Sequence, residues 1–327
     1  MHNATAQQKV VVFSQIDPLI LQKLQQRFQV VQIHPKQGDI QQQILTAVVD
    51  AEGMIGAGRV LDQSNLHTAT RLKMISTISV GYDNYDVQYL NQQRIHLAHT
   101  PHVLTETTAD LAFSLLMSAA RRIPELDRWT KQGNWSRTVG AAQFGLDIHG
   151  KTLGIIGLGN IGAAIARRGH FGFNMPVVYH NRHQKPELAD AVDAQYLSLE
   201  ALFQHADFIV IAVDLNADSK ALIDAKLLQK MKPTAVLINI SRGSVVDETA
   251  LIEALKQKQI FAAGLDVYQS EPLQQSELFT LENVVTLPHV GSATAETRLK
   301  MAELAYQNLL DGLAGRSCAC LVNPHFE

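Results

Sequence analysis

The stretch Lys151-Thr152-Leu153-Gly154-Ile155-Ile156-Gly157-Leu158-Gly159-Asn160-Ile161-Gly162 constrains this chain more than any other. A short apolar strand, Leu153 to Ile156, runs into G-x-G-x-x-G, and an alanine-rich helical run follows from Ala163 to Arg168. Gly157 permits the tight turn, Gly159 lets the backbone approach phosphates, and Gly162 lets helix and strand pack closely. The helix N-terminus then offers free N–H groups and a positive dipole end to an anion. Glycine triplets also occur in ordinary turns. The strand before this one and the helix after it make the loop, with Leu158, Asn160 and Ile161, a dinucleotide site. It begins only after 150 residues of preceding chain.

A chain of 327 residues has room for two domains of the usual size. Its hydrophobic share of 46% and charged share of 18% are those of an ordinary globular protein. A net charge of −3 gives no reason to expect a nucleic acid or an anionic membrane surface as partner. No apolar run approaches the ~20 residues a membrane-spanning helix needs. The polar N-terminus, Met1 to Gln8, lacks the apolar core of a signal peptide. Cys318 and Cys320 form a C-x-C pair with too few ligands for structural zinc, and a disulfide across one residue would be strained. They read as free thiols in a reducing cytoplasm. His96, His99 and His102 straddle a strand end and Pro101, so no metal site is expected there.

Strand and helix patterns alternate before and after the glycine loop. Val10–Phe13, Val30–Ile33, Gly53–Gly56, Met74–Ser79 and Ile95–Ala98 read as strands, with helical spacing over Pro18–Phe28 and a polar turn into a helix over Gly38–Asp50. Glu106 to Arg122 reads as one long helix, and Gly133–Gly145 as an irregular, glycine-punctuated loop. Leu153–Ile156, Val177–His180, Phe208–Ala212, Ala235–Ile240, Ala262–Asp266 and Val284–Leu287 give about six further strands, the number a dinucleotide-binding sheet carries. The last helix, Thr294–Leu313, is too short to be a domain and is expected to pack on the first one. The expected fold is therefore α/β, with two Rossmann-like doubly wound parallel-sheet domains. The nucleotide domain (101–291) is inserted in a discontinuous, flavodoxin-like substrate domain (1–100 plus 292–327). A cleft with hinges near Thr100 and Gly291 follows from that layout.

Where NAD-preferring folds carry an acid to accept the ribose 2′-OH, the second strand of the nucleotide domain ends in Asn181-Arg182-His183. A carboxylate there would repel a 2′-phosphate, whereas the Arg182 guanidinium can hold it. NADP(H) is therefore the expected cofactor, with NAD(H) a weaker second. Hydride transfer to a carbonyl also needs a cation to orient substrate and a proton donor for the developing alkoxide. Three late strands end in candidates: Ile240-Ser241-Arg242-Gly243, Gly264-Leu265-Asp266 leading to Glu271-Pro272, and Pro288-His289-Val290-Gly291.

Those motifs, with Ser79-Val80-Gly81-Tyr82 and Leu104-Thr105-Glu106, occur in one order over about positions 76 to 292. The chain resembles the D-isomer-specific 2-hydroxyacid dehydrogenases, within them the glyoxylate/hydroxypyruvate reductase and 2-ketogluconate reductase branch. The resemblance implies that Arg242 binds the substrate carboxylate and carbonyl oxygen, with backbone N–H groups of Val80 and Gly81 on the other carboxylate oxygen. It implies that His289 is acid in reduction and base in oxidation, held in orientation by Glu271. Cofactor contacts would come from Thr105, the Gly157–Gly162 loop, Asn181, Arg182, Ile240, Asp266, His289 and Gly291. The implied reaction is NADPH-dependent reduction of glyoxylate, hydroxypyruvate or 2-keto-D-gluconate to the D-2-hydroxy acid. A homodimer is implied as well, built on the long helix and the loop beyond it, where Trp135 resembles a residue that reaches the neighbouring active site.

Two other readings share these motifs. D-3-phosphoglycerate dehydrogenases would bring NAD preference, extra cations for a phosphate and, in many members, a regulatory domain beyond the equivalent of Glu327. Nucleotide-sensing corepressors of the same fold keep the same catalytic residues, so only turnover separates them from the enzymes.

Overall fold

The computed structural model describes residues 7–326, so most of the polar N-terminal stretch lies outside the described residues. The chain divides into two compact units, one made of the residues up to Leu104 with those from Thr294, the other of Thr105–Ala293.

In the first unit, strands β1 (Lys9–Val12), β2 (Gln29–Gln32), β3 (Gly53–Gly56), β4 (Met74–Thr77) and β5 (His96–Ala98) form one sheet. Its order is β2-β1-β3-β4-β5, with every pairing parallel. That is the flavodoxin-like order. Every residue of β3 and β4 is buried, as strands covered by helices on both faces must be. The Ala295–Leu313 helix belongs to this unit and packs against β4, β3 and β5, where the Ser76 hydroxyl donates to the Ala305 carbonyl at 2.8 Å. Residues 320–323 add to the β5 edge: Leu321 bridges antiparallel to Ala98, and Asn323 Oδ1 accepts the Leu97 N–H at 2.7 Å.

The second unit holds β6 (Leu153–Ile156), β7 (Val177–His180), β8 (Gln195–Tyr196), β9 (Phe208–Ile211), β10 (Val236–Asn239), β11 (Ala262–Leu265) and β12 (Val284–Thr286). Their order, β12-β11-β10-β9-β6-β7-β8, is the doubly wound dinucleotide-binding arrangement with one strand added. The sheet therefore has seven strands rather than the six read from the sequence, which passed over the two-residue β8 at its edge; the strand added to the six-strand order is β12 at the opposite edge. Alternate residues feed two cores. Ile155, Val210 and Ile238 face one, with the Thr105–Ala120 helix, and Ile156, Ile211 and Leu237 face the other.

The stretch Glu106–Arg122, expected as one long helix, does not continue as helix to Arg122. The helix runs Thr105–Ala120, Arg122 adopts a left-handed φ of 55°, and a second helix spans Ile123–Lys131. Pro124 is the cause: it has no N–H to give Ala120, and its ring would clash with that turn. Placed in the first turn of a new helix, the same proline does no harm.

Candidate active site

The loop after β6 has the features a pyrophosphate needs. Gly157 sits at φ +99°, and a Cβ there would lie 2.5 Å from the Ala212 carbonyl oxygen. A Cβ on Gly162 would lie 2.2 Å from the Gly157 oxygen, so only glycine lets the Asn160–Arg167 helix seat on the strand end. Gly159 differs: a Cβ there would meet nothing within 4 Å, and no side chain caps the helix it precedes. Open space beside uncapped N–H groups is where a phosphate fits, and a dinucleotide suits this cradle. Glu106 and Asp110, on the Thr105–Ala120 helix that Thr105 opens, pair with Arg168, and Glu106 also with Arg167; these bonds lash that helix to the glycine-loop helix.

At the tip of β7, Asn181 grips the same loop, its Oδ1 accepting the Leu158 N–H at 2.6 Å and its Nδ2 donating to the Leu158 oxygen at 3.3 Å. Leu158 is buried, and Ile161 packs against the core. Arg182 is exposed and pairs with Asp218 at 2.7 Å. Asp218 is held by an Asx turn in which Asn216 Oδ1 accepts the N–H groups of Asp218 and Ser219.

The three late strand ends converge in this unit. His289, at φ 53°, directs Nδ1 to Glu271 Oε2 at 2.7 Å. An N–H facing a carboxylate must donate, so Nε2 is the nitrogen left for a substrate. Glu271 Oε1 in turn accepts the Tyr268 N–H at 3.0 Å. Burial would raise the Glu271 carboxyl, but the hydrogen bonds from His289 and Tyr268 and the charges of His289 and Arg242 outweigh it and hold the group below its ordinary value. Arg242 follows the buried Ile240 on a loop whose backbone is fixed by Asn239: its Nδ2 donates to the Arg242 oxygen at 3.0 Å and its Oδ1 accepts the Ser241 N–H at 3.1 Å. The next residue has to be glycine, since a Cβ on Gly243 would fall 1.8 Å from the Tyr268 carbonyl carbon.

Asp266 is buried, and its two oxygens accept the Val290 N–H at 2.7 Å and the Gly291 N–H at 2.8 Å. It thereby bolts down the loop that presents His289. Burial pushes its carboxyl above the ordinary range, only partly offset by those N–H groups. The structure thus brings Arg242, Asp266, Glu271, His289 and Gly291 together. Val80 and Gly81 belong to the five-stranded unit, on the loop after β4.

Sequence reasoning passed over Tyr268, whose phenol donates to the oxygens of Leu265 and Leu287, at 3.2 and 2.8 Å, and so joins the ends of β11 and β12. Burial raises it to about 12. It also passed over Asp218. Neither has a local signal, because each depends on a partner distant in sequence. Among the described residues no group of three or more His, Cys, Asp or Glu side chains could hold a metal, and no helix is long and apolar enough to cross a membrane.

Known proteins resemble this chain over nearly its whole length. The sequence model for the D-isomer specific 2-hydroxyacid dehydrogenase NAD binding domain matches residues 113–291. A glyoxylate/hydroxypyruvate reductase B from Klebsiella pneumoniae strain 342 is 45% identical over 319 residues, 97% of this chain and 99% of that one. The protein of the same name from Yersinia pestis strain Pestoides F is 46% identical, over 96% of this chain and 97% of its own. The crystal structure of an NADPH-dependent glyoxylate/hydroxypyruvate reductase from Sinorhizobium meliloti, with NADP and malonate, superposes with a TM-score of 0.88 at 32% identity, covering 97% of each chain. With the glycine loop, the His–Glu pair and the strand-end arginine all in the expected order, the chain belongs to the D-isomer-specific 2-hydroxyacid dehydrogenase family.

Proposed function

We propose that this protein reduces small 2-oxoacids, glyoxylate and hydroxypyruvate first and 2-keto-D-gluconate as a further candidate, to D-2-hydroxy acids, using NADPH in preference to NADH. The observation that carries the reading is the 2.7 Å bond from His289 Nδ1 to Glu271 beside Arg242, in a chain 45% identical to a glyoxylate/hydroxypyruvate reductase. The Gly157–Gly162 loop and the helix N-terminus hold the pyrophosphate, with Thr105, Asn181, Ile240 and Gly291 at the margins of the cofactor site. Arg182 exchanges Asp218 for the 2′-phosphate. A bound reduced nicotinamide supplies the hydride. Arg242 binds the substrate carboxylate and polarises the carbonyl oxygen, and the N–H groups of Val80 and Gly81 take the other carboxylate oxygen. His289 gives its Nε2 proton to the alkoxide as it forms. With Nδ1–H fixed on Glu271, the neutral ring keeps a bare Nε2, which is the base needed for the reverse reaction.

Two further parts belong to this reading. The protein works as a homodimer in the cytoplasm. Supporting the dimer, Trp135, Val139 and Phe144 are exposed around an open groove of about 540 Å³ that Trp129 and Leu126 also line, and Ile123 is exposed as well. Cys318 and Cys320 are free thiols, as a reducing compartment requires.

The test is oxidation of NADPH in the presence of each oxoacid, repeated with NADH and with His289→Gln, alongside light scattering for the dimer. Fast NADPH-linked turnover that collapses in the variant is expected. Preference for NADH would sink the Arg182 argument. Tight cofactor binding without turnover on any 2-oxoacid would leave a nucleotide-sensing protein instead.

A further inference from the structure

The peptide unit joining Val80 to Gly81 has its carbonyl oxygen on Val80 and its N–H on Gly81. In a trans peptide these two point in opposite directions and turn as one plane. Whatever fixes the Val80 oxygen therefore aims the Gly81 N–H. That oxygen accepts a hydrogen bond from His99 Nδ1 at 2.9 Å.

His99 is itself fixed on every side. Its ring meets Tyr82 edge-on, with centroids 5.6 Å apart and planes at 85°. Its backbone N–H donates to the Cys320 oxygen at 3.0 Å, and its carbonyl accepts from Asn308 Nδ2 at 3.0 Å. Asn308 is buried and is tied in turn by the Cys318 thiol, which donates to its Oδ1 at 3.3 Å. The next residue, Thr100, donates its N–H to the Ser79 oxygen at 2.9 Å. The segment around Cys318 and Cys320 thus buttresses His99 from behind, and His99 holds the loop after β4 from below. A hydrogen bond at the carbonyl also polarises the amide and makes its N–H a better donor.

We propose that His99 is a positioning residue for the 2-oxoacid: its Nδ1–H orients the Val80–Gly81 peptide so that the Gly81 N–H can receive the substrate carboxylate. The proposal rests on the role given to Val80 and Gly81 under the proposed function. It assigns the histidine of His99-Thr100-Pro101 a task on substrate affinity and none in proton transfer.

The discriminating variants are His99→Leu, which keeps bulk and loses the donor, and His99→Asn, whose Nδ2 can stand where Nδ1 stands. His99→Leu should raise KM for glyoxylate about tenfold, the size of one well-placed hydrogen bond to a charge, with kcat and the KM for NADPH within about twofold. The Kd of oxalate for the NADPH-loaded enzyme should rise in parallel, and His99→Asn should restore both to near the wild-type values. An unchanged KM for glyoxylate in His99→Leu would overturn the proposal. So would an equal loss for NADPH, or a failure of His99→Asn to rescue, since either marks a merely structural residue. If His99→Leu does not fold, His99→Gln replaces it, because its amide lies one methylene too far out; Gln impaired with Asn active supports the proposal, and equal behaviour overturns it. A wild type inert toward every 2-oxoacid would bring down the proposed function and this inference together. An active wild type with indifferent His99 variants brings down the inference alone.

Discussion

The two units share an architecture, and Ser198, Asp224 and Asp247 cap helices in the seven-stranded one as well, but its glycine-loop helix begins unlike any α-helix of the five-stranded unit. In the five-stranded unit every α-helix starts from a side chain that accepts its first free N–H groups: Asp17, Asp39, Asp62, Asp86 and Thr294. An aspartate in that place closes the helix end and sets a negative charge where an anion would have to sit. In the seven-stranded unit the helix after β6 starts from Gly159, with no side chain over its N–H groups. The strand ends differ as well. The seven-stranded unit carries Arg242, Glu271 and His289 beyond its late strands, whereas Val80 and Gly81 after β4 have no polar side chain. Doubly wound sheets do not bind nucleotides by topology. They bind where a cap has been left off and where strand-end loops carry charge.

The largest effect should come from the charged strand ends. His289→Gln should lower kcat by about 10² to 10⁴, the usual worth of a positioned acid, while the melting temperature barely moves because the ring is nearly half exposed. A variant retaining near-normal kcat would mean that the proton comes from elsewhere. Next is the open helix end, tested by making it resemble the closed ones. Gly159 has an extended backbone that any residue can adopt, with room for a side chain. Gly159→Asp should therefore fold with stability unchanged or a few tenths of a kcal/mol higher. Its carboxylate would face the pyrophosphate and weaken NADPH on the order of a hundredfold. Calorimetry showing normal cofactor affinity would break the contrast between the units. A smaller effect is due at Arg182. Removing one charge-assisted contact by Arg182→Ala should weaken NADPH about tenfold and NADH by less than about twofold. The exposed Arg182–Asp218 pair itself should contribute almost nothing to folding. Equal losses for the two cofactors would show that Arg182 does not read the 2′-phosphate.

How much of this was legible in the sequence depended on how local the cause was. Runs such as Phe208–Ile211 announce buried parallel strands because both of their faces are covered. Gly157, Gly159 and Gly162 announce a phosphate loop because each has its own steric task. The short strand Gln195–Tyr196 carries no apolar run, being at an edge. The helix at Ile123–Lys131 falls between the stretches the sequence reading assigned, although Pro124 in its first turn is a helix-start signal. The helices Gln63–Leu66 and Val87–Gln92 were signalled by Asp62 and Asp86, in acid-first caps that could have been read. What no window of sequence contains is the set of long-range ties: Asp266 to Gly291, Tyr268 to Leu287, His99 to Val80. These decide where the legible residues point.

The smallest expected effect concerns two acids five residues apart whose surroundings move them in opposite directions. Burial acts first on both. At Glu271 it is overcome by the bonds from His289 and Tyr268, so the folded carboxyl lies below its ordinary 4.5. At Asp266 it prevails over the Val290 and Gly291 N–H groups, so the folded carboxyl lies above its ordinary 3.8. The signs follow from proton binding. Glu271 contributes stability that is complete above its unfolded value and is lost as pH falls through its lowered folded one. Asp266 carries a burial penalty that is complete above its raised folded value and fades as pH falls toward its unfolded one. Acid therefore weakens the first tie while relieving the second. Glu271→Gln should make the melting temperature less sensitive to acid below about pH 4.5, because only the acid-labile contribution has been removed. An identical pH slope in wild type and variant would show that the His289–Glu271 pair adds nothing to the fold and that its bond serves the orientation of the imidazole alone.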